Sequence, residues 1–235
     1  RIRELAPNPA PQVIVNCAGR TRSIIGTQSL VNAGIPNPVA ALRNGTIGWK
    51  LAGQELDHGA SRVAPVQVDA ANHGKAREGA GAIAARAGVR RIGLGELASL
   101  HVPDRTVYQF DVRTPEEYAA SHLPGFRSAP GGQLVQETDH QAPVRGARIV
   151  LADDDGVRAN MSASWLAQMG WEVYVVDPVG EDKRSERGLA AANVPPSPEV
   201  VTVSPVALAA WVKEGDVALI DVTASANYVK RHIPG

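Results

Sequence analysis

Two short apolar runs, each followed by a polar loop and a stretch of helical period, organise most of the chain. The first run, "QVIVN" (12–16), is β-branched and bounded by Pro11, which predicts a buried strand. From Ser23 to Asn32 the apolar residues Ile24, Ile25, Leu30 and Val31 fall at helical spacing, and Ala33-Gly34 supplies a C-terminal stop. "PVAALRNG" (38–45) reads as a second strand ending in a turn. The order returns in residues 147–177, with strand "RIVLA", an acidic loop, a helix to Met169, Gly170, and strand "EVYVVD".

These two stretches superpose without a gap. A shift of 136 places Asp153 on Cys17, Arg158 on Arg22, Ala159 on Ser23 and Gly170 on Gly34. A second repeat has a shift of 110: "FDVRTPEEYAASHLPG" (110–125) aligns with "IDVTASANYVKRHIPG" (220–235), matching Asp111 with Asp221, Tyr118 with Tyr228 and His122 with His232. Such self-similarity predicts an array of domains. Residues 61–90, rich in Ala and Gly with a weak helix over 75–87, and residues 181–198, which run into the stiff "NVPPSPE" (193–199), read as connectors. The expected layout is the second half of one unit (1–60), a complete unit (91–180) and the first half of a third (199–235), a piece of a longer multidomain protein.

Strands alternating with helices predict α/β units, each with a mainly parallel sheet covered on both faces. Sites in such sheets lie at the carboxyl ends of strands, and Cys17 lies at one.

Composition narrows the chemistry. Across 235 residues, Lys plus Arg and Asp plus Glu each number 24, which gives no electrostatic reason to bind nucleic acid or an anionic membrane. No apolar run approaches the roughly 20 residues that span a bilayer. One cysteine forms no intrachain disulfide, so a reducing cytoplasm is expected. The six histidines, His58, His73, His101, His122, His140 and His232, show no metal-ligand pairing with Cys or carboxylates. Asp111, Arg113 and Glu117 are expected to form a strand-end and helix-cap network, and "DDDG" lacks the alternation of a calcium loop.

A lone cysteine is often a small buried hydrophobe. The loop "CAGRTRS" argues otherwise for Cys17. It precedes a helix N-terminus, where unpaired amides and the macrodipole favour a thiolate, and it adds Gly19 and the cations Arg20 and Arg22. Such a ring of amides is an anion nest, and the thiol inside it is a nucleophile suited to anionic substrates.

"CAGRTRS" after a strand, with "DVRTPEEYAASHLPG" in the neighbouring unit, resembles the rhodanese family of sulfurtransferases. The resemblance implies tandem rhodanese-like domains, each with a five-stranded sheet and helices on both faces, and thiosulfate sulfurtransferase activity. By that resemblance Cys17 is the catalytic sulfur carrier, and Ala18, Gly19, Arg20, Thr21, Arg22 and Ser23 form the substrate-binding loop, its arginines holding the donor's anionic oxygens. The resemblance also implies that the six-residue loop from Cys17 to Arg22 accommodates sulfur, the related phosphatases using a loop one residue longer to fit phosphate. Thiosulfate or a similar sulfane-sulfur compound is the implied donor, cyanide or a thiol the acceptor, with no metal or organic cofactor. In the middle unit Asp153, Asp154 and Asp155 stand in the loop with Arg158, which implies a degenerate, inactive site. The alternative is a persulfide relay or sulfur-sensing scaffold that binds a protein partner. The half-units at either end are expected to complement each other, within or between chains.

Overall fold

The computed structural model describes residues 2–59, 68–178, 180–189, 199–215 and 217–234. Most of the proline-rich stretch 193–199 and the first part of the expected connector at 61–67 lie outside the described residues. The chain divides into two compact units, Arg1–Ala190 and Ala191–Gly235.

In chain order the first unit contains α1 (Ile2–Leu5), β1 (Val13–Val15), α2 (Thr21–Asn32), β2 (Val39–Ala41), α3 (Gly45–Leu51), α4 (Ala70–Arg86) and β3 (Arg90–Ile92). It continues with β4 (Val107–Asp111), α5 (Pro115–Ala120), β5 (Arg127–Ser128), α6 (Gly131–Gln136), α7 (Thr138–Gln141), β6 (Arg148–Ala152), α8 (Val157–Gln168) and β7 (Glu172–Val176).

β3 to β7 form a wholly parallel sheet in the order β3-β7-β6-β4-β5. Its central strand β6 is apolar at consecutive positions because both faces are buried. Ile149 and Leu151 point into a core with Phe110, Val173, Val175, Leu134 of α6, and Ala163 and Leu166 of α8. Val150 and Ala152 point the other way, against Tyr174, Val176, Leu123, Phe126 and Leu100 of a short 3-10 turn. A slip of one residue in register would exchange these two sets, so the pairing Leu151↔Val175 is fixed by packing as well as by hydrogen bonds.

β1 and β2 form a separate parallel pair, with Val13 opposite Val39 and Val15 opposite Ala41. The helix that follows β1 extends over Thr21–Asn32, and its copy α8 over Val157–Gln168, so the 136-residue repeat is exact at this level. The second predicted strand is shorter than 38–45, because the chain turns through Asn44 (φ 56°) and Gly45 (φ 57°) into α3. α2 packs on the middle sheet's helices: Trp165 Nε1 donates to Ser29 Oγ at 2.9 Å, and Ile25 lies against the buried core.

The stretch expected to be a connector differs from expectation. Residues 70–86 are a full helix, capped by Asp69, whose carboxylate accepts from the amides of Ala71 and Asn72. Ala80, Ile83 and Ala84 of this helix are buried. Small side chains allow close approach to α8 but leave little apolar periodicity to read, which is why only a weak helix is expected from the sequence.

The second unit holds α9 (Pro205–Glu214) and α10 (Ser225–Lys230). α10 repeats α5 at the 110-residue shift, down to the aromatic contact: Tyr118 stacks on His122 at 3.8 Å and Tyr228 on His232 at 4.0 Å. In both copies the imidazole Nδ1 lies 2.9 Å from the tyrosine's own carbonyl oxygen.

Candidate active site

Cys17 sits between the end of β1 and the first turn of α2, partly buried. The loop is held from outside by the turn after β2. The amide of Thr46 donates to the carbonyl of Cys17 at 2.9 Å, and that of Ile47 to Ala18 at 3.0 Å. Gly45 is the residue this clamp requires. A side chain there would collide with the carbonyl oxygens of Cys17 and Gly19, and its φ of 57° disfavours any other residue.

Cys17 Sγ lies 3.5 Å from Ser23 Oγ, and Ser23 is 1% exposed. The same hydroxyl lies 2.8 Å from the carbonyl of Arg20. One hydroxyl proton serves both: with a protonated thiol it goes to Arg20 while the thiol donates to Ser23, and with a thiolate it turns to sulfur. Hydrogen bonding by the Ser23 hydroxyl is the largest influence and holds the thiol below its ordinary value. Burial opposes it, and the amides of Ser23 and Gly19 and the charge of Arg22 reinforce it.

The two loop arginines diverge. Arg22 Nη1 donates to Gln133 Oε1 of α6 at 3.3 Å, and Arg22 lines a cavity of about 260 Å³ with Ile25, Ser29, Gly131, Arg158 and Trp165. Arg20 instead faces a second cavity with Ile24, Leu42, Arg43 and Asn44. Thr21 is exposed and opens α2. Arg43 was not anticipated from the sequence; its place at the carboxyl end of β2 was the available signal.

In the middle unit the equivalent nest is filled from within. Asp153 Oδ1 accepts the amide of Gly156 at 2.7 Å and Oδ2 that of Ala159 at 2.8 Å, with the residue 4% exposed. Burial pushes this carboxyl up to about 6; the Ala159 and Gly156 amides pull against it, while Asp155 and Asp154 push the same way as burial. Asp155 accepts the Val157 amide at 2.8 Å and pairs with His73 of α4 at 2.9 Å. Asp154 and Glu117 both grip Arg158, at 3.0 and 2.6 Å. Burial works against the charge on Glu117, yet Arg158 and the Thr114 amide hold its carboxyl down at about 2.

Arg113 forks onto both oxygens of the buried Asp111 and donates to the Ser121 carbonyl, while Thr114 and Glu117 form a capping box. These polar groups serve the fold, as expected from the sequence.

Residues 96–178 match the family model for the rhodanese-like domain. The crystal structure of a thiosulfate sulfurtransferase from Pseudomonas aeruginosa is similar to all of this chain, with 63% identity and a TM-score of 0.81; the chain spans 45% of that protein. A 3-mercaptopyruvate sulfotransferase from Escherichia coli is 18% identical, over 74% of this chain and 69% of its own, with a TM-score of 0.33. No curated protein matches the chain. Among the described residues no helix is long and apolar enough to cross a membrane.

Proposed function

We propose that the chain is a thiosulfate-type sulfurtransferase with Cys17 as the sulfur carrier. The observation that carries this reading is the Cys17 thiol at a strand end, its Sγ within reach of Ser23 and its pKa lowered by that hydroxyl, the Ser23 and Gly19 amides and Arg22.

The Cys17 thiolate attacks the sulfane sulfur of thiosulfate. A new S–S bond forms, the donor's S–S bond breaks, and sulfite leaves with its electron pair. The terminal sulfur of the resulting persulfide is an anion in the nest, accepting from the amides of the loop and from Ser23. Cyanide carbon, or an acceptor thiolate, then attacks that terminal sulfur; the Cys17 S–S bond breaks and the thiolate returns. Ala18 and Thr21 contribute backbone to the loop, and Gly19 lets it curl inward. The reading sets the reaction in a reducing cytoplasm, where a lone nucleophilic thiol stays free.

The middle unit is read as silent in this chemistry. Asp153 has no sulfur-carrying chemistry, and its own carboxylate occupies the amides of Gly156 and Ala159. Its role is to support α2 through Trp165 and Gln133.

The partial units are read as complementing each other, within or between chains. Support comes from the two internal repeats: residues 12–45 align with 148–181 and residues 220–235 with 110–125, two parts of the one middle unit. Cross-linking between cysteines placed at Val15 and Ile220, in a Cys17→Ser background, tests this; no cross-link overturns it.

Incubation with thiosulfate and cyanide tests the main reading. Thiocyanate from the wild type and none from Cys17→Ser is the expected result; equal amounts from both would overturn it.

A further inference from the structure

A cavity of about 620 Å³ beside the Cys17 loop has one arginine in each wall. Arg20 and Ile24 supply one side, and Ala41, Leu42, Arg43 and Asn44, at the end of β2 and in the turn beyond it, supply the other. That turn is not free to drift, because the residues directly after it, Thr46 and Ile47, hydrogen-bond the carbonyls of Cys17 and Ala18. The backbone at Arg43 is therefore tied to the Cys17 loop, although Arg43 lies 26 positions away in sequence.

Among the described residues neither Arg20 nor Arg43 has a carboxylate partner or a side-chain hydrogen bond. Two like charges facing one cavity without a counter-ion repel each other, and an anion placed between them relieves that repulsion. Arg22 differs, being engaged with Gln133.

The internal repeat separates these arginines further. Arg22 has its counterpart in Arg158 of the silent loop, where the guanidinium braces Glu117 and Asp154. The positions that align with Arg20 and Arg43 are Gly156 and Val179, so the copy without a thiol also lacks both of these cations. Bracing is common to both loops, whereas the two-cation cavity accompanies the thiol alone.

We infer that Arg43, together with Arg20, forms the anion subsite that holds the oxyanion group of the sulfur donor during attack by Cys17, making Arg43 a specificity-determining residue for anionic donors. The inference rests on the sulfur-transfer reading for its substrate, and its test is independent of turnover.

Alkylation of Cys17 in the full chain by iodoacetate and by iodoacetamide provides that test. In each case a bond forms from the Cys17 sulfur to carbon and the carbon–iodine bond breaks, with iodide leaving; the reagents differ in carrying a carboxylate or a neutral amide. The ratio of the two rates reports the subsite and cancels any change in thiolate fraction. In Arg43→Gln the iodoacetate to iodoacetamide ratio is expected to fall roughly fivefold, with the iodoacetamide rate within about twofold of wild type and with Arg43→Lys retaining most of the ratio. An unchanged ratio in Arg43→Gln overturns the inference.

Where turnover is present, the KM for thiosulfate rises in Arg43→Gln while that for dithiothreitol, an acceptor without an oxyanion group, does not. A rise for dithiothreitol alone assigns Arg43 to the acceptor and contradicts the proposal. Absence of thiocyanate from the wild type would remove the sulfur-transfer reading, and the alkylation ratio would still decide the subsite.

Discussion

Cys17 Sγ and Ser23 Oγ stand 3.5 Å apart, and the Ser23 hydroxyl has the Arg20 carbonyl as a second partner 2.8 Å away. This contest ties thiolate formation to the loop's own geometry. Ser23→Ala removes the largest influence that lowers the thiol. The midpoint of the iodoacetamide rate against pH therefore moves up, and the rate near pH 7 falls by roughly two- to tenfold, the worth of one hydrogen bond. An unmoved midpoint would mean that the amides and Arg22 alone set the thiolate.

Gly45 couples β2 to the same loop from the other side. Gly45→Ala places a methyl group against the carbonyl oxygens of Cys17 and Gly19 and leaves a non-glycine residue at a φ of 57°. The expected cost is about 2 kcal/mol or more in urea unfolding, together with loss of thiocyanate formation. Full activity in this variant would show that the loop tolerates displacement of the turn.

Asp153 gives the middle unit an unusual pH response. Its carboxyl is raised to about 6 in the folded chain, against roughly 3.9 unfolded, so the folded state holds the extra proton between these values. The stability this contributes is present below about pH 4 and lost as pH rises through about 6, on the order of 3 kcal/mol in all. Glu117, lowered to about 2, acts in the opposite direction, its contribution being lost only as pH falls below the usual carboxylate range. Urea midpoints should decline from pH 4.5 to 7 in the wild type and lie flatter in Asp153→Asn. Parallel slopes in the two proteins would remove Asp153 as the cause.

Trp165 joins the middle unit to the helix behind Cys17 through Ser29. Trp165→Ala removes both this hydrogen bond and a large apolar contact, and should destabilise the first unit by about 2 kcal/mol or more. If α2 is supported in this way, proteolysis near residues 21–32 should accelerate in the variant; unchanged cleavage would show that α2 holds itself.

Much of this arrangement was legible in the chain. The alternation of apolar runs with helical periods located β1, α2, β6, α8 and β7, because buried parallel strands and amphipathic helices leave strong local patterns. α3 was not legible: "GTIGWKL" follows a turn through Asn44 in the left-handed region, and neither a cap nor an apolar stripe announces it. α4 was underestimated because alanine and glycine pack closely without marking a face. Within the site, the place of Cys17 at a strand end could be read from sequence. The partner of Arg22 could not, since Gln133 lies 111 residues away, and the place of Arg43 and Arg20 on one cavity depends on the parallel pairing of β1 with β2.

The central claim is that Cys17 carries sulfur, and the intact mass of the protein after exposure to thiosulfate tests it most directly. One added sulfur atom in the wild type, removed by cyanide and absent from Cys17→Ser, is the predicted result. No added mass in the wild type, or the same addition in Cys17→Ser, would contradict it.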